Sequence, residues 1–167
     1  ETDSVSMDNI SAEYKMTEYL IELGHKKIAY VGSINATTSI MDRYLGYRRA
    51  LHHYNILYRE DYLIEDRGED RLFKELALPE DMPTAFVCNN DEIACILIEK
   101  LEKMGYSVPE DISVTGFDNY PFIRRNASGL TTVDVDIAMM ASEGVELLLE
   151  RLNDKRETFV RRVVSGH

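Results

Sequence analysis

Two stretches, Ala85-Phe-Val-Cys-Asn-Asn-Asp-Glu92 and Val108-Pro-Glu-Asp-Ile-Ser-Val-Thr-Gly-Phe-Asp-Asn119, each pass from a short apolar run straight into Asn and Asp. Runs this short, rich in β-branched or aromatic residues and closed by turn-forming residues, read as buried strands. They alternate along the chain with segments of helical periodicity about a dozen residues long, which argues for βαβ units. The expected fold class is α/β, an open parallel sheet with helices on both faces. Ligands of such sheets sit just beyond the carboxyl ends of the strands. Asn90, Asp91, Asp118 and Asn119 are therefore expected to line a crevice mouth.

The remaining elements follow the same logic. Ser11 to Leu23 reads as a helix stopped by Gly24, Lys27 to Val31 as a strand, and the segment through Met41 to His53 as a helix after a polar loop. A strand is expected near Tyr62 to Ile64, then a short helix from Glu69 to Leu76. Pro79 and Pro83 bracket a loop that delivers the strand Thr84 to Cys88. Asp91 to Met104 carries an apolar stripe of Ile93, Ile96, Leu97, Leu101 and Met104 and ends at Gly105, a helix signature. Ile112 to Thr115 is the next strand, and Asp136 to Leu152 a further helix.

At 167 residues with 44% hydrophobic content the chain can bury a sizeable core. Its net charge of -11 disfavours a nucleic-acid partner, because affinity for duplex backbone comes largely from Lys and Arg displacing counterions. Cys88 and Cys95 lack metal-type spacing and read as buried free thiols. No apolar run approaches the roughly 18 residues a membrane span needs, and Glu1-Thr-Asp-Ser-Val is no secretory signal, so the expected setting is cytoplasmic, away from membranes. The sequons at Asn35 and Asn126 carry no meaning there.

With Leu23-Gly-His-Lys-Lys-Ile-Ala-Tyr-Val-Gly32, Arg43-Tyr-Leu-Gly-Tyr47 and Leu130-Thr-Thr-Val133, the two opening stretches form five motifs in one order. Together they resemble the effector-binding domain of LacI/GalR-type transcriptional repressors, over most of the chain. That resemblance implies a periplasmic-binding-protein-like (type I) architecture of two lobes crossed three times by the polypeptide. Residues 1–130 correspond to the C-terminal lobe. Residues 131–167 correspond to the crossover strand, helix and return strand that join an N-terminal lobe mostly missing here. The resemblance also implies a small-molecule effector such as a sugar, DNA contact only through a separate helix-turn-helix domain, and a homodimer.

Family members place effector-contacting residues at positions matching Arg43, Asn90 and Asp118, with Ser39 matching a further polar contact. These side chains suit vicinal hydroxyls: Arg43 offers a donor fork, Asn90 both donates and accepts, and Asp118 accepts from two hydroxyls at once. Each also has an ordinary structural reading. Arg43 can pair with a surface carboxylate, Asn90 and Asp91 can cap the helix that follows, and Asp118 can serve a turn. Two departures argue against carrying over a particular sugar. Val135 stands where several members have a Gln that closes the site, and Asp66-Arg-Gly-Glu-Asp-Arg71 lacks the aromatic that several members stack on the ligand, leaving Tyr62 or Phe73 as substitutes that also suit the core.

Enzyme readings find little support. No dinucleotide or phosphate-loop motif occurs, nor a Gly-x-Ser-x-Gly elbow. His52 and His53, adjacent on a helix, cannot face one metal, and His25 sits at a helix-to-strand turn. No catalytic residue, metal or cofactor is therefore expected. The reading is an effector-binding regulatory fragment, with a periplasmic-type sugar-binding protein and a small α/β enzyme as alternatives.

Overall fold

The computed structural model describes residues 2–120, 129–154 and 158–166. Its main sheet has four parallel strands in the order β3-β2-β4-β5, where β2 is Ile28–Val31, β3 Leu63–Ile64, β4 Ala85–Cys88 and β5 Ser113–Thr115. Successive side chains of a strand point to opposite faces, and here both faces are covered. Ile28, Tyr30, Ala85 and Val87 meet helices α1 (Asn9–Glu22) and α2 (Thr38–His53) through Leu20, Tyr44, Tyr47 and Leu51. Ala29, Val31, Phe86 and Cys88 meet helix α3 (Asp91–Lys103) through Ile93, Ala94, Leu97 and Leu101. This two-sided burial explains why the strands read as unbroken apolar runs rather than as alternating ones.

Each helix begins where a side-chain oxygen accepts an otherwise orphaned backbone N–H. Asp8 accepts from Ser11 N at 3.0 Å, Thr37 from Ile40 N at 3.1 Å and Asn90 from Ile93 N at 2.9 Å. Buried tyrosines then fix α2 on the sheet: Tyr47 Oη donates to the Ile28 carbonyl at 2.8 Å, and Tyr30 Oη to the Ile40 carbonyl at 3.2 Å. Their hydroxyls are satisfied while the rings fill the core.

A second, two-stranded parallel sheet joins the beginning of the chain to its end. β1 (Ser4–Met7) pairs with β6 (Arg161–Val164), and helix α4 (Ile137–Asp154) packs against both. Between the two sheets lies a small core of Met7, Ala12, Met16, Phe117 and Val133, with Val135 alongside. Residues 131–134 run parallel to the extension of β5, bridging Thr115 to Thr131 and Asp118 to Asp134. On α4 Leu147 is buried and Gly144 faces Val5, whereas Ile137, Val145, Leu148 and Leu152 stand exposed.

Two expectations need correction. No helix forms over 69–76; the segment is a turn closed by an antiparallel bridge between Arg67 and Phe73. Asp70 Oδ1 accepts from Leu72 N at 3.0 Å and Gly68 N donates to the Leu72 carbonyl at 3.0 Å, so local side-chain and turn bonds take the groups a helix would use. Cys95 is only half-buried, unlike the enclosed Cys88, because it lies toward the groove side of α3.

Candidate functional site

Arg43 lies on the first half of α2 and reaches across the carboxyl ends of the strands. Its Nε donates to Asn9 Oδ1 at 2.9 Å, Nη1 to the Asn89 carbonyl, and Nη2 to Asp118 Oδ1 at 3.0 Å. The guanidinium carbon sits 3.7 Å from the centre of the Phe117 ring, whose face is attractive to a cation. One planar cation thus ties together segments following β1, β4 and β5. Such a fork holds three partners in fixed directions, which a lysine cannot do.

Asp118 is presented by an unusual backbone. It and Asn119 both have positive φ, 97° and 49°, a region in which Asn and Asp are over-represented among non-glycine residues. The conformation is held from both sides: Asp118 N donates to the Val133 carbonyl at 3.0 Å, and Asn119 Nδ2 to Asp134 Oδ1 at 3.0 Å. The carboxylate is left half-open to solvent at the crevice mouth.

Asp91 is buried on the first turn of α3. Its Oδ2 accepts from Tyr120 N at 2.9 Å and its Oδ1 from Thr132 Oγ1 at 2.5 Å. Burial pushes its carboxyl above the ordinary value, against the lowering effect of these two donors. Gly116 makes the arrangement fit, since a Cβ there would lie 2.3 Å from Asp91 Oδ1.

The structure therefore brings Arg43 and Asp118 into contact, and it puts Asn90 next to the Asn89 carbonyl that Arg43 grips. Asn90 Oδ1 is committed to the α3 cap, as its structural reading anticipated, while the cap position itself falls to Asn90 and Asp91 occupies the first helical turn. Ser39 is half-buried on the first turn of α2, four residues before Arg43 and on the same helical face. Tyr62 is core, its hydroxyl donating to the Asp81 carbonyl at 3.0 Å, whereas Phe73 is exposed beneath the Arg67 guanidinium, 4.2 Å away. His25 bonds to Thr84 and Ser113 at its turn.

Sequence reasoning missed Asn9, Asn89 and Asp66. Asp66 is fully buried, accepting from Ser33 N at 2.7 Å and from Asn89 Nδ2 at 3.3 Å. A signal was available for two of them. Ser4-Val-Ser-Met-Asp-Asn9 and Leu63-Ile-Glu-Asp66 show the same passage from apolar strand into acid or amide that marked the later strands.

A groove of about 740 Å³ lies elsewhere, between α1, α3 and β5, and is lined by Leu23, Cys95, Ile96, Val108 and Leu130. Among the described residues no group of His, Cys, Asp and Glu is placed to hold a metal, and no helix is long and apolar enough to cross a membrane.

Residues 17–167 match the model of the periplasmic binding protein-like domain. The chain is 32% identical over 159 residues to the arabinose metabolism transcriptional repressor of Geobacillus stearothermophilus, covering 90% of this chain and 43% of that protein. Among solved structures, a LacI family regulator from Enterococcus faecium with bound ribose superposes with a TM-score of 0.80 at 27% identity, covering 99% of this chain and 62% of the other. The CelR regulator–cellobiose complex gives 0.84 at 25% identity, covering 99% and 52%. The chain spans about half the length of the curated relatives it matches.

Proposed function

This chain belongs to the periplasmic-binding-protein-like domain family, in the form carried by LacI/GalR-type transcriptional regulators, and from that premise we propose that it binds a sugar or similar small polar effector. In this reading Arg43, Asn90, Asp118 and Ser39 contact the effector, and Phe73 offers the stacking face that the loop after β3 otherwise lacks. Residues 1–130 act as the C-terminal lobe, and residues 131–167 as the return to a second lobe that supplies the opposite wall. The β1–β6 pairing supports that return, since it leaves a short sheet with α4 partly bare. Effector binding favours one arrangement of the two lobes and so alters DNA affinity in a separate domain. Linkage makes that coupling reciprocal.

The single observation that carries the reading is the Arg43–Asp118 contact at the carboxyl ends of the strands. It puts a fixed cation and a half-exposed carboxylate side by side, a match for vicinal hydroxyls that both donate and accept. The relatives are regulators rather than enzymes, and no catalytic role is assigned. The reading is tested in the full-length regulator, titrating operator binding against D-ribose, cellobiose and L-arabinose with the wild type and Asp118→Ala. Loss of the sugar response with DNA binding retained is expected. An unchanged response to a sugar that acts on the wild type would make Asp118 purely structural.

A further inference from the structure

Glu13 is fully buried in the middle of α1, and neither of its carboxyl oxygens has a hydrogen-bond partner. A buried carboxyl without partners is costly and calls for an explanation. Glu13 lies one helical turn beyond Asn9, the residue that accepts from Arg43 Nε, so both project toward the same side of α1. Opposite them, α2 comes unusually close. A Cβ at Gly46 would lie 2.4 Å from the Ile10 carbonyl oxygen and 3.0 Å from Glu13 Cβ. The close approach of the two helices therefore leaves Glu13 enclosed, on the side of α1 that faces α2.

We propose that Glu13 is a positioning residue for Arg43, a role that rests on the effector-site reading: uncharged, it leaves the guanidinium committed to Asp118 and the Asn89 carbonyl, and ionised, it draws the guanidinium toward α1. The guanidinium has five N–H donors, of which Asn9, Asn89 and Asp118 take three, so donors remain for Glu13. Releasing Asp118 frees that carboxylate for effector hydroxyls.

Burial and two charged groups, Arg43 and Asp118, act on the Glu13 carboxyl. Burial pushes the Glu13 carboxyl up to about 8; Arg43 on α2 acts against this, and Asp118 after β5 adds to it. Tyr30 on β2 and Cys88 on β4 also lie within the field of Glu13, and burial pushes both well above their ordinary values. Both therefore stay neutral where Glu13 titrates, leaving Glu13 as the group of this cluster that changes charge near pH 8. Effector and proton are then linked. A ligand that engages Asp118 and frees the Arg43 charge favours loss of the Glu13 proton.

The test is a carboxyl-carbon and arginine-nitrogen NMR titration of the full chain from pH 5 to 10, with no effector added, on the wild type and the isosteric Glu13→Gln. The wild type is expected to show a Glu carboxyl titrating near pH 8, with Arg43 Nε and the Asp118 carboxyl carbon shifting at the same midpoint, and both shifts absent in Glu13→Gln. A Glu13 carboxyl titrating in the ordinary range near 4.5, or Arg43 and Asp118 signals that stay flat while Glu13 titrates, would overturn the proposal. These readouts need no ligand, so failure of the effector reading leaves them intact. A second arm measures D-ribose affinity of the full-length regulator against pH. Where ribose binds, affinity is expected to change by up to about tenfold per pH unit around pH 8 in the wild type and to flatten in Glu13→Gln. A wild-type profile unaffected by Glu13→Gln contradicts the coupling.

Discussion

Arg43 Nη2 and Asp118 Oδ1 lie 3.0 Å apart, with the arginine side chain only 11% exposed and the aspartate 41%. The cation is therefore held inside the lobe while its partner faces the crevice. That asymmetry predicts different costs. Asp118→Asn, which keeps a side chain suited to the positive φ, should lower the stability of this chain by no more than about 1 kcal/mol, because the ion pair is partly solvated. Arg43→Ala should cost more, about 1–3 kcal/mol, since the Asn9 and Asn89 acceptors both lose their donor. Urea unfolding of the two variants measures the difference, and equal costs would contradict the geometry.

Asn90 carries a cap and a proposed ligand contact, and two substitutions separate these roles. Asn90→Ser keeps an oxygen for Ile93 N and should leave the melting temperature nearly unchanged. Asn90→Ala should lose about 1 kcal/mol. Both should weaken the effector response of the full-length regulator. A normal response in Asn90→Ser would reduce Asn90 to a capping residue.

Asp91 ties α3 to the segment that returns past β5. Asp91→Ala leaves Tyr120 N and Thr132 Oγ1 without their acceptor and should cost about 1–3 kcal/mol. Gly116→Ala should destabilise by a similar route, since the new methyl collides with the same carboxylate. Hydrogen exchange should show loss of protection at Tyr120 in the Asp91 variant.

Glu13 should make stability fall as pH rises. Its carboxyl is about 8 when folded against 4.5 when free, so the unfolded chain loses the proton first. The stability it contributes is full below pH 4.5 and is lost progressively up to pH 8, by an amount on the order of 5 kcal/mol. Other carboxylates titrate too, so the difference between wild type and Glu13→Gln isolates the effect. Thermal melts from pH 5 to 9 should show Glu13→Gln gaining relative stability with pH.

The bare side of α4 should drive association. Leu148 and Leu152 are 59% and 67% exposed, and burying a leucine is worth roughly 1.5–3 kcal/mol. Light scattering of this chain should report self-association that a Leu148→Glu, Leu152→Glu double variant weakens. A dispersed wild-type monomer would count against it, and equal association by both proteins would put the contact on another surface.

What the sequence determined by itself was local and periodic. Apolar runs of four or five residues entering Asn and Asp marked Ala85–Cys88 and Ser113–Thr115, and helical spacing marked Asp91–Lys103, because burial on two faces and a 3.6-residue period leave their pattern in neighbouring positions. The turn over 69–76 escaped because its bonds, Leu72 N to Asp70 Oδ1 and Gly68 N to the Leu72 carbonyl, are as local as those of a helix and leave no period of their own in the sequence. Tertiary structure alone decided which partners Arg43 takes, since Asn9, Asn89 and Asp118 are 34, 46 and 75 residues away. It also decided the fate of Glu13, which reads in sequence as one more acid on a surface helix. The close approach of α2 at Gly46 helps to enclose it, and enclosure, not residue type, is what displaces a carboxyl from its ordinary protonation.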